Sequence, residues 1–213
     1  MGSNSTVLQE GSYNTVVTGV QSALTTVGNH NQAFVGTGST VLEGGNQDYL
    51  SASDGSSVFI TGTQDLAEVG NGAAILASGS SNVLYAGNQS TLTVVGTSDY
   101  NQVGAGSLIL DSGALNFVQT GDLSTLFITG VSDYNLAGYG STVVNSGSGN
   151  FVSSGNQSTI YAAGTGNYSA TGSGSPIYVT GAGDAVATSG STVLFAPGAQ
   201  APVYGSGNTI YHL

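Results

Sequence analysis

The chain has no lysine, no arginine and no cysteine, and of its 213 residues only three are proline. Each absence excludes a class of function. Without a cation nothing neutralises a phosphate backbone, so no nucleic-acid partner is expected. The lysine of a phosphate-binding loop, a Schiff-base lysine, an arginine clamp and a basic membrane-surface helix are excluded on the same ground. Without cysteine there is no disulfide framework, thiolate zinc site or iron–sulfur cluster. No apolar run approaches the ~18 residues of a membrane span, so no membrane insertion is expected. No charged-then-apolar leader follows Met1, so any export signal is expected to lie outside this chain or to have been removed.

Glycine, by contrast, is abundant: 35 residues, beside 11 tyrosines, 11 acids and two histidines. Net charge is −11 although only 5% of residues are charged, and 39% are hydrophobic, enough to bury the core of one domain.

The glycines are periodic. Stepping by seventeen from Gly11 gives Gly28, Gly45, Gly62, Gly79, Gly96, Gly113, Gly130, Gly147, Gly164, Gly181 and Gly198. Three residues after each stands Asn14, Asn31, Asp48, Asp65, Asn82, Asp99, Asn116, Asp133, Asn150, Asn167 or Asp184, the run failing at Ala201. A second glycine column begins at Gly19. A serine column runs through Ser22, Ser39, Ser56, Ser90, Ser107, Ser124, Ser141, Ser158 and Ser175. Two residues further on is an aliphatic column, from Leu24, Val41 and Val58 to Ile160, Ile177 and Leu194. No insertion interrupts the glycine register.

Each unit is thus two half-units, a glycine-led turn followed by about five alternating residues rich in Val, Ile, Thr, Tyr and Phe. Alternation over that length predicts a strand. The expected fold is all-β: a single β-solenoid over residues 1–213, with two short strands per seventeen-residue coil and about 12.5 coils. Stacking at ~4.8 Å gives a rod of roughly 60 Å. Residues 2–10 read as an N-terminal half coil, 11–197 as eleven regular coils, and 198–213 as an irregular coil and candidate partial cap. We count thirteen strands of the serine type and twelve of the asparagine type.

Side chains two apart share a face. The Asn/Asp and serine columns, with their aliphatic neighbours, are assigned to the interior, where stacked amides would bond from coil to coil and lock the register. The acids leave alternatives open. Asp48 and Asp65 fall on adjacent coils. They either reach solvent at a turn edge, or hold raised pKa values so that acid favours tight assembly, or bridge a cation. Outward, one step from the ladders, run Tyr49, Leu66, Val83, Tyr100, Phe117, Tyr134, Phe151 and Tyr168 on one flank. Leu42, Phe59, Leu76, Leu110, Phe127, Val144, Tyr161, Tyr178 and Phe195 run on the other. These ranks read either as cross-strand stacking or as a lateral contact surface, with Tyr100, Phe117, Tyr134, Phe151 and Tyr168 its candidate centre.

Nothing assembles an active site. His30 and His212 lie far apart in the chain, and an uninterrupted repeat offers no loop on which to build a cleft, so no enzyme activity and no cofactor are expected. Calcium-binding nonapeptide repeats fail on glycine spacing, the nearest approach being Gly181-Ala-Gly183-Asp184.

Gly147-Ser-Gly-Asn150-Phe-Val152 followed by Ser158-Thr-Ile160 resembles the repeat of curlins, secreted functional amyloids of bacterial biofilms. The likeness runs through the whole chain, with a shorter repeat and without regular glutamines. It implies a strand–turn–strand unit with inward Asn and Ser ladders, an extracellular fibre, and secretion and nucleation factors as partners. The function expected is therefore a filament subunit that stacks on copies of itself at the cell surface. An ice-binding solenoid, suggested by a partial threonine rank (Thr6, Thr40, Thr91, Thr125, Thr142, Thr159), and the stalk of an adhesin are the alternatives.

Overall fold

Buried and exposed residues alternate over four or five positions at a time, and each such stretch is a strand. The computed structural model describes residues 1–213 and contains no helix. Strands follow one another from β1 (Thr6–Glu10), β2 (Thr15–Thr18) and β3 (Ala23–Val27) to β21 (Pro176–Val179), β22 (Ala185–Ala187), β23 (Thr192–Phe195), β24 (Val203–Tyr204) and β25 (Thr209–His212). Odd-numbered strands form a 13-stranded sheet and even-numbered strands a 12-stranded sheet, as the two types of half-unit require. Neighbours pair in parallel, seventeen residues apart: Val7 with Leu24, Leu24 with Val41, Val16 with Ala33. The chain is a parallel β-solenoid with two strands per coil.

Between the sheets the aliphatic columns meet in one cluster of 32 buried hydrophobic residues, among them Val41, Leu92, Ile109, Leu126, Val143 and Ile160 from the larger sheet and Leu50, Leu84, Val118 and Val152 from the smaller. The core is thin and linear: each coil contributes a few side chains and rests on the coil beneath.

Two backbone devices make the corners. The residue just before each ladder position is left-handed, as in His30 (φ 58°), Gln89 (φ 57°) and Leu123 (φ 56°), or is a glycine such as Gly140 (φ 64°). The periodic glycine serves a different end. From Gly45 to Gly181 its φ is not left-handed. A Cβ on Gly79 would collide with the carbonyl oxygen of Gly62 one coil below. From Gly28 to Gly181 the column is glycine because coils approach too closely for any side chain.

The register slips once. β21 pairs with β23 sixteen residues apart, Ile177 with Val193, whereas β22 pairs with β24 and β23 with β25 at seventeen. A one-residue shortening before β23 is recovered after it. This corrects two assignments at the C-terminal end. Val193, not Leu194, continues the inner aliphatic column and is fully buried; Phe195, expected on the outer flank, points inward at 2% exposure. The glycine register passes over the slip because the shortening and lengthening cancel between Gly181 and Gly198.

Candidate functional site

The inner ladders are built as side chain on backbone. Oδ1 of each Asn or Asp accepts the N–H of the column residue one coil earlier: Asn31 N–H to Asp48 (2.6 Å), Asp48 to Asp65 (2.9 Å), Asp65 to Asn82 (2.9 Å), Asn116 to Asp133 (2.9 Å), Asn150 to Asn167 (2.9 Å). The expected amide-to-amide bonding is not the main contact; among the column residues it occurs only from Asn14 Nδ2 to Asn31 Oδ1, at 3.5 Å. An acceptor is what the position requires, so Asn and Asp alternate freely there. The serine ladder follows the same rule. Oγ of Ser39, Ser107, Ser124, Ser141, Ser158 and Ser175 each accepts the N–H of the preceding coil's column residue, at 3.0–3.2 Å. Ser56 is buried in the same column, and its hydroxyl donates instead to Ser53 O.

What distinguishes Asn from Asp is the second atom. Nδ2 of Asn82, Asn116, Asn150 and Asn167 donates to a glycine carbonyl twenty residues back, for example Asn150 to Gly130 O at 3.1 Å. In the aspartates an oxygen takes that place, and Oδ2 of Asp48, Asp65, Asp99, Asp133 and Asp184 has no partner. These five side chains are 1–3% exposed, so the column does not reach solvent at a turn edge. Burial pushes the carboxyls of Asp65 and Asp99 up to about 6 and that of Asp133 up to about 7, and raises that of Asp184. Seven of the eleven acids are buried, Glu43 and Asp111 completing the set.

A third inward column went unread in the sequence: Gln9, Thr26, Glu43, Ile60, Ala77, Val94, Asp111, Ile128, Asn145, Ala162, Val179 and Phe195, each 9% exposed or less. The signal was available, since these residues lie two beyond the aliphatic column. Their mixed chemistry hid it.

Outside, the aromatic rank is real. Tyr100, Phe117, Tyr134, Phe151 and Tyr168 stack with ring centroids 4.5–5.5 Å apart and planes within 9° of parallel. Tyr161 and Tyr178 stack likewise at 4.8 Å on the opposite sheet. Ring faces are therefore spent on one another, and ring edges and hydroxyls face outward. The histidines stay apart: His30 stacks on Tyr13 and His212 on Phe195. No group of three or more His, Asp and Glu side chains is arranged to hold a metal ion.

Compared with family models, curated proteins and solved structures, the chain matches none. Its repeat and its geometry are the grounds on which function is argued.

Proposed function

We propose that the chain is the self-assembling structural subunit of an extracellular, amyloid-like filament of the biofilm or cell-surface kind, formed by stacking of solenoids along their axis. One observation carries the reading. Coil after coil offers its neighbour an N–H on one side and an Oδ1 or Oγ on the other, in a register that changes only between β21 and β23, so one coil can template the next. The first and last strands keep this pattern. β25 leaves Ile210 and Tyr211 about half exposed, while Val193, paired with Ile210, is fully buried. Strands with open edges are ordinarily guarded by lysine, and this chain has none. The two flanks of aromatic and aliphatic side chains supply a surface for rods to pack side by side.

Electron microscopy and fibre diffraction of the purified chain test the reading. Filaments with a meridional repeat near ~4.8 Å are expected. A solution of short monodisperse rods that never elongates overturns it.

A second reading has one observation in its favour. Thr125, Thr142 and Thr159 pair in register along the outer face of the 13-stranded sheet, a regular rank of methyl and hydroxyl groups. An ice-recrystallisation assay separates this from the filament.

A further inference from the structure

Three coils place a Glu, Asp or Asn of the third inward column five residues before a ladder residue: Glu43 before Asp48, Asp111 before Asn116, Asn145 before Asn150; Gln9 and Thr26 hold that place before Asn14 and Asn31. In two of the three the corner is closed by an ordinary hydrogen bond. Asn116 Nδ2 donates to Asp111 Oδ1 at 3.0 Å, and Asn150 Nδ2 donates to Asn145 Oδ1 at 3.1 Å. At the third corner two carboxyls face each other. Asp48 Oδ1 already accepts the Asn31 N–H. Asp48 Oδ2 and both oxygens of Glu43 lack a well-formed donor; the nearby Thr26 hydroxyl points instead at Leu42 O, at 3.5 Å. Glu43 is 1% exposed and Asp48 3%.

The surroundings offer no cation. The earlier coils contribute Gln9, Thr26 and Asn31, and the later coil Ile60 and Asp65, whose own Oδ2 lacks a donor. Thr26 and Asp65 are the remaining groups that act on Glu43. His30 is turned out against Tyr13. Two ionised carboxylates here would be buried charges of like sign with nothing opposite them. A single proton between them turns one carboxyl into an O–H donor and restores the bond that an amide makes at the other two corners.

We propose that Glu43 and Asp48 share a proton in the folded chain, and that this corner is a pH-sensitive latch on the solenoid. Desolvation pushes the Glu43 carboxyl up to about 8, with Thr26 opposing and the Asp48 and Asp65 carboxyls reinforcing the rise. A carboxyl raised on folding stabilises the fold fully below its ordinary value of ~4.3, and that stabilisation is lost as pH rises. The loss is complete once the folded group itself ionises, near 8 for Glu43. Acid closes the corner and mild alkali releases it. The latch acts within one chain, so it stands or falls independently of filament formation.

Hydrogen exchange on the full chain, read in peptides covering residues 40–66 and corrected for intrinsic rates, tests it. Between about pH 5 and about pH 9 the wild type is expected to lose protection there by tenfold or more. Asp48→Asn installs the arrangement of the Asp111–Asn116 corner. It is expected to keep protection at the higher pH, as is Glu43→Gln. The proposal is overturned if wild-type protection does not depend on pH, if both variants retain the wild-type loss, or if both lose protection at the lower pH as well. It is also overturned if calcium chloride restores alkaline protection in the wild type and a chelator removes it, since the corner would then hold a cation.

Discussion

Residues 24–65 and 160–195 trace the same coil around different interiors. In the first stretch the third inward column holds Thr26, Glu43 and Ile60, and the ladder beside it Asn31, Asp48 and Asp65. In the second the same column holds Ala162, Val179 and Phe195. Strand pairing is parallel in both. The difference separates what shapes a coil from what fills it. Backbone path depends on glycine where coils touch, on a left-handed residue at each corner, and on an acceptor at each ladder position. The third column contributes volume and polarity but no backbone contact that every coil needs, so its chemistry drifts from acid to aromatic.

The sharpest way to break that separation is to attack the path. Gly79→Ala drives a methyl into the Gly62 carbonyl, whereas a Cβ at Gly72 meets no atom. Chemical unfolding followed by circular dichroism is expected to show a loss exceeding about 3 kcal/mol for Gly79→Ala. Gly72→Ala adds only left-handed strain, roughly 1–2 kcal/mol. Equal losses would mean that close approach is not what the column protects.

Filling comes next. Leu126 is fully buried while Phe127 beside it is exposed. Leu126→Ala is expected to lose about 2–5 kcal/mol, and Phe127→Ala less than about 1 kcal/mol, by the same measurement.

Third, an acid interior is convertible to an amide one. Asp133, pushed up to about 7 by burial, keeps an Oδ2 without a partner. Its stabilising protonated form is fully present below ~3.8 and is lost as pH rises through about 7. Asp133→Asn is therefore expected to stabilise the chain by about 1–3 kcal/mol near pH 8 and to change nothing in strong acid, in a series of thermal melts against pH. The smallest effect lies at the corners. Leu123 sits at φ 56° with its side chain exposed, and Leu123→Gly is expected to raise stability by about 0.5–1 kcal/mol.

The ladders were legible because they are chemically uniform: Ser and Asn/Asp recur where each coil needs an acceptor. The inward place of the Asp column was legible, but whether its carboxyls kept their water was not. Aspartate in a glycine-rich turn ordinarily reads as solvated, and its desolvation depends on the coils above and below. Glu43 had no column mates of its own type, so nothing in a one-dimensional pattern joined it to Asp48. Phe195 was misplaced because two compensating one-residue shifts leave the glycine spacing intact.

The sequence by itself determined the coil length, the two-strand unit, the parallel stack and the identity of the inner ladders. A seventeen-residue period of glycine, acceptor and aliphatic residues admits few other ways to satisfy backbone and core together. Only the tertiary structure decided how the ladders bond, which acids lose their water, and where two carboxyls come to share one corner. Those outcomes depend on the distance between coils and the atoms left facing one another once the coils are stacked.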